Sequence, residues 1–354
     1  MLSKDQHQDV GENATAVQAG NNANVQVTHN HGLSYSEVRQ IAIDIFKANF
    51  YELAGVAKET ARARAEEITE EFLRKLQDEN PEGFHHSEDP DFQHGLLTIQ
   101  KEYARTGDKE LGDLLVDLLV DRSKQDERNI LQIVLNESLS VAPKLTNSQV
   151  ALLALIFRLR YTINYSLIGH DSLGQYFDQT IFPLISELNP NESSFQHLEF
   201  AGCGTIQTTE ANLERLLGYL YKGLFSKGFD KSEIDSKQIT IGLDTRFFIS
   251  CLNDETKLQV NALNDETLKK NLEKEKIGEE DRKKIIELFS ESAMSNNEIM
   301  NLCINLRPYM KDFYDKWNST SMKSFNLTSV GIAIGHANIK KMIGNFTDLS
   351  DWIN

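Results

Sequence analysis

The chain has 354 residues, 40% of them hydrophobic and 25% charged, the composition of a folded globular protein long enough for two domains. Its formal net charge of −16 repels phosphate backbones and anionic headgroups, so general nucleic-acid binding is not expected. Three cysteines far apart (Cys203, Cys251, Cys303) argue against a disulfide framework or a cysteine zinc site, and the longest apolar run, VALLALIF at 150–157, is too short for a membrane span; with no signal-peptide core in MLSKDQHQDV, the expected compartment is the cytoplasm.

The first unit is GENATAVQAGNNANVQV, residues 11–27, which aligned on Gly11 and Gly20 repeats Gly, Asn and Ala with a period near nine. Small and β-branched residues alternate with polar ones (Ala14, Ala16; Val25, Val27), as in a strand, and the Gly-x-Asn starts suit tight turns. Such a unit reads as a rung of a small β-solenoid or β-prism. Two rungs bury too little to stand alone, so they pack on the rest of the chain, associate with sister subunits, or stay disordered. The reading adopted is assembly: residues 1–32 form an oligomerisation segment, and Val17, Val25, Val27, Leu33, Val38, Ile41 and Ile45 are the candidate interface residues of a trimer or higher.

Ser34 and Glu37 form a Ser-x-x-Glu capping box flanked by a Leu33/Val38 staple, so a helix starts near residue 35. Apolar spacing continues to about residue 79, which as one helix would be about 65 Å long, with Gly55 as its one weak point. After a polar break, helices are expected over 90–106 (Asp89 cap, Pro90 first turn), 108–123 and 126–140. Pro143 ends this helical domain, 33–143. The second, 144–354, opens on a Thr146/Gln149 cap and a helix apolar nearly all round. Further expectations are an amphipathic stretch at 171–188, a glycine turn at AGCGT, and a helix over 209–222. Short strands are expected in QITIG, TRFFISCL and KLQVNAL, the last two as a hairpin. Helices at 265–276 and 279–292 follow, then a Ser295/Glu298-capped helix running past Pro308, and last a strand to Leu327, a Thr328 cap and an apolar helix. The expected class is mainly α, helical bundles with a short N-terminal β repeat and a small β-hairpin.

Several groups invite chemistry. His85, His86 and His94 lie among Glu88, Asp89 and Asp91, but Pro90 interrupts the three-or-four spacing of a helical metal site, so a solvated loop is expected. Asp113, Asp117 and Asp121 form an i, i+4 stripe, expected as the wet face of an amphipathic helix. Cys203, between two glycines and six residues after His197, is a candidate nucleophile without an identifiable orienting third residue. Arg158 and Arg160 interrupt the most apolar helix, so at least one needs a buried acidic partner. No glycine-rich phosphate loop is present, and no cofactor is expected.

Asp244, Glu255 and Lys257 resemble the Asp…Glu-x-Lys set of restriction-endonuclease-like nucleases, although here Glu-x-Lys falls in a hairpin turn, NDETK. That resemblance implies the alternative function, a metal-dependent hydrolase. The opening repeat is similar to the Gly-Asn-Ala rungs of trimeric bacterial surface heads. GLSYSEVRQIAIDIFKANF, LLVDLLVDRS, LEFAGCGTI and LTSVGIAIGHANIKKMIG together resemble an uncharacterised family of bacterial cytoplasmic proteins. FNLTSVGIAI resembles the ending of winged-helix-like domains and of some abortive-infection proteins, which implies a place in phage defence. The function expected is thus a homo-oligomeric bacterial scaffold or sensor acting on another protein rather than an enzyme.

Overall fold

A computed structural model describes residues 34–49, 55–344 and 346–353. The 11–27 repeat, with Val17, Val25, Val27 and Leu33, lies outside them. In chain order the helices of the first part are α1 (Tyr35–Asn49), α2 (Val56–Glu79), a 3-10 turn (Pro81–Glu88), α3 (Pro90–Thr106), α4 (Lys109–Arg122) and α5 (Ile130–Val141). The expected long helix is two helices. Gly55 adopts φ 59°, ψ −136°, a backbone region open to glycine, and α1 packs back along α2, with Tyr35 and Arg39 both on Glu70. Folding back lets Val38 and Ala42 join the same core as Phe72 and Leu76, burial that one extended helix would leave to a partner.

Next come α6 (Asn147–Arg160), α7 (His170–Tyr176), a π-helical turn (Phe177–Ile181), α8 (Phe182–Ser186), α9 (Glu192–Phe200), β1 (Gly204–Ile206), α10 (Leu213–Leu220) and α11 (Ser232–Ser236). They are followed by β2 (Phe248–Ser250), β3 (Leu258–Val260), α12 (Asp265–Lys274), α13 (Glu279–Glu291), α14 (Asn296–Leu306), α15 (Met310–Ser319), β4 (Phe325–Leu327) and α16 (Ser329–Ile343). The chain is mainly helical. Its described sheets are two antiparallel pairs: the expected β2–β3 hairpin, Phe248 opposite Val260, and β1–β4, Gly204 opposite Leu327. QITIG is a turn instead of a strand, because Thr240 donates its backbone N–H and hydroxyl to the Asp281 carboxylate. The helix expected to run past Pro308 ends at Leu306, since the residue before proline is driven out of the α region: Arg307 sits at φ −145°, ψ 106°.

The capping boxes at Thr146/Gln149 and Ser295/Glu298 both form, and Ser34 donates its N–H to Glu37 Oε2 at 2.8 Å. α16 lies against α6, α4 and α5. This contact depends on two glycines: a Cβ on Gly331 would collide with the Cys203 carbonyl, and one on Gly335 would stand 2.9 Å from the Leu153 carbonyl. One cluster of buried apolar residues accordingly runs from Val38 to Ile353, and a second, built on Phe229, Phe248, Leu268 and Phe289, is confined to 229–289.

Candidate functional site

A cleft of about 520 Å³ between the start of α3, the end of α4 and α5 is lined by polar groups from all three helices. Asp89 caps α3, accepting the Asp91 N–H, and Pro90 follows as the first helical residue, as its fixed φ favours. At the floor is Arg122, only 1% exposed. It donates to Asp91 at 2.6 Å and stands 3.5 Å from Asp89, while Asn136 of α5 donates to the same Asp91 oxygen at 2.8 Å. Burial opposes the Asp91 charge, but Arg122 and Asn136 outweigh it and hold its carboxyl below the usual carboxylate range. A second cleft, of about 450 Å³, shares Asp91, Asn136 and Glu137 and extends past His94 to Gly202 and Val330.

At the rim of the first cleft stand two adjacent imidazoles. His86 Nε2 is 3.1 Å and His85 Nε2 3.5 Å from Asp126 Oδ1, so three potential metal-ligating atoms lie within 4.8 Å of one another. His94 is not one of them. The stretch expected as a solvated loop is a 3-10 turn in which His86 is buried against Phe92. Burial, and then the neighbouring His85, push the His86 pKa below its ordinary value. Asp126, Arg122 and Asn136 were not legible as partners of this motif, because they are brought in from the α4–α5 connection and from helix faces that the spacing of 85–94 does not announce.

In the acidic stripe of α4, Asp113 is half-buried and the other two carboxylates are not solvated. Asp117 is 0% and Asp121 6% exposed, because α4 is covered by α2 on one side and α16 on the other. Lys75 of α2 pairs with Asp117, and Lys340 of α16 bridges Asp121 at 3.0 Å and Glu79 at 2.7 Å. Burial raises the Asp117 pKa against the pull of Lys75. Burial likewise opposes the charges of Asp121 and Lys340, yet their attraction wins: Asp121 titrates below its usual value and Lys340 above.

The remaining candidates are spread out. Asp244 is held by Arg246, at 2.6 Å, at the open end of the β2–β3 hairpin, while Glu255 and Lys257 lie at its closed end, so the hairpin's length separates the first from the other two. Cys203 is buried under α16, and burial pushes its thiol up to about 12, the reverse of an activated nucleophile. His197 bonds with Gln149. Val38 is buried in the chain's own core, with Ile41 and Ile45 half-buried on the same helix.

No helix among the described residues is long and apolar enough to cross a membrane. No curated protein and no solved structure matches the chain. A family model whose description carries no activity matches residues 32–353, starting just before the Ser34 cap and leaving the Gly/Asn-rich repeat outside the match. Since that match takes in nearly all of the sequence and every helix described above, the chain belongs to this uncharacterised family.

Proposed function

We propose that the protein is a homo-oligomeric scaffold or sensor, a trimer or higher, working in the bacterial cytoplasm by contact with other proteins, in defence against phage. The observation that carries this reading is the junction at residues 32–34. The family match starts at residue 32, the first described helix is capped at Ser34, and the residues after it build a continuous core of their own. What precedes the junction is a repeat with two rungs and three valines, Val17, Val25 and Val27, too little apolar surface for one copy to bury. Association of like segments from several subunits supplies the missing rungs.

The test is the mass in solution, at micromolar concentration, of the full chain beside one lacking residues 1–32. A defined oligomer that drops in order on truncation is expected, and a monomeric full chain overturns the reading. The defence role, supported by the likeness of FNLTSVGIAI to abortive-infection proteins, is tested separately by plating a phage panel on cells with and without the protein. Equal plating for every phage removes it.

A further inference from the structure

We infer that His85, His86 and Asp126 form a binding site for a divalent cation of the zinc class. The separations fit. Ligand atoms about 2.0–2.1 Å from a tetrahedral ion stand about 3.3 Å apart, and the two measured histidine-to-carboxylate distances are 3.1 and 3.5 Å. The third separation, between the two imidazole nitrogens, also lies within 4.8 Å.

The orientation of His85 is an independent sign. Its Nδ1 donates to the Glu82 carbonyl, which can only accept, so Nε2 is the ring nitrogen left to face the Asp126 oxygen across a proton or a metal ion. A carbonyl on Nδ1 is also the outer contact that fixes the tautomer and direction of a metal-bound histidine. His86 is preset in another way, wedged against Phe92 in the core with Nε2 outward. Asp126 is 75% exposed and lines the cleft, so a bound ion keeps positions open to water or to a ligand there. Two imidazoles and one carboxylate suit zinc, cobalt or nickel, whereas magnesium and calcium prefer all-oxygen sets.

The experiment uses the full-length chain, freed of metal with a chelator. Zn²⁺ binding is measured by calorimetry near neutral pH, and Co²⁺ binding by visible absorption, for the wild type and for Asp126→Asn and His85→Asn. Both altered side chains are exposed, at 75% and 50%, so the fold is retained, which circular dichroism checks. One equivalent of Zn²⁺ is expected to bind the wild type, with affinity falling at least about tenfold in each variant. Excess Mg²⁺ should not compete. Absence of one-equivalent binding in the wild type overturns the site, and so does equal affinity in both variants, which would place the ion on other histidines of the chain.

Discussion

At Arg158 the chain buries a cation with no acidic partner among the described residues. Its Nη1 donates to Thr162 at 2.7 Å, its guanidinium lies 5.1 Å from the Tyr176 ring centroid and 5.7 Å from that of Phe346, and its Nε has no hydrogen-bond partner among the described residues. The sequence pointed to a buried arginine on α6 but to the wrong kind of partner, since ring faces from α7 and from the segment after α16 replace the expected carboxylate. Arg158→Met keeps the stem and removes the poorly compensated charge. Its stability by chemical denaturation should stay within about 1–2 kcal/mol of the wild type or rise above it; a larger loss means that the aromatic faces contribute more than burial costs. His336 carries the matching pH prediction. Its Nε2 is 2.7 Å from Thr347 O, and the ring is packed among Phe157, Phe346 and Trp352, with Asp121, Lys340 and Asp348 as the charges near it. Because that oxygen is a carbonyl, the ring is the donor. Burial depresses its folded pKa below the ordinary 6.5. Above that value both states are neutral; as pH falls through it, the unfolded chain takes up a proton that the folded chain resists, so stability falls with pH until the folded value is reached. The melting temperature should drop between about pH 7.5 and 5.5, and His336→Gln should flatten that slope. An unchanged slope in the variant would remove His336 as the cause.

Among the elements, α16 depends on close approach and on charge at the same time. Gly331→Ala drives a methyl into the Cys203 carbonyl, and a cost of about 1–3 kcal/mol is expected from overpacking, read from the denaturation midpoint. Lys340→Met leaves the buried Asp121 with only Lys124 and removes a partner of Glu79, and should cost about 2–3 kcal/mol. Lys124→Ala removes a partner that is itself 30% exposed, and should cost less than about 1 kcal/mol. Equal losses in the two lysine variants would mean that Lys340 is no more than a surface pair. Elements like α3, α4 and α6 were legible because their boundaries are local chemistry: Asp89 with Pro90, Asp108 accepting the Leu111 N–H, Thr146 with Gln149. What was not legible depends on distant residues. β1 looked like a glycine turn because the strand exists only through pairing with β4, more than a hundred residues on, and the α4 carboxylates looked solvated because their lysines sit on α2 and α16. The candidate site was visible only as a histidine pair whose spacing, interrupted by Pro90, argued for a solvated loop, because its carboxylate, Asp126, is supplied by a different connection.

At the level of the whole molecule, the cluster from Val38 to Ile353 joins helices from both ends of the described chain. A fragment of residues 34–143 would contain α1 to α5 but expose the faces of α4 and α5 that α16 covers. It is expected to bind a hydrophobic dye and to lack a cooperative melt, and a sharp two-state transition in that fragment would show that the first helices close a core without α16. The placement of α16 also bears on how the protein is made. α6 leaves the ribosome at residue 160 and its principal neighbour begins only at Ser329, so at 5–20 residues per second the most apolar helix of the chain waits on the order of ten seconds or more for its cover. During that interval nascent chains on one message carry the same uncovered surface side by side, and whatever shields it in the cell must act before translation is finished.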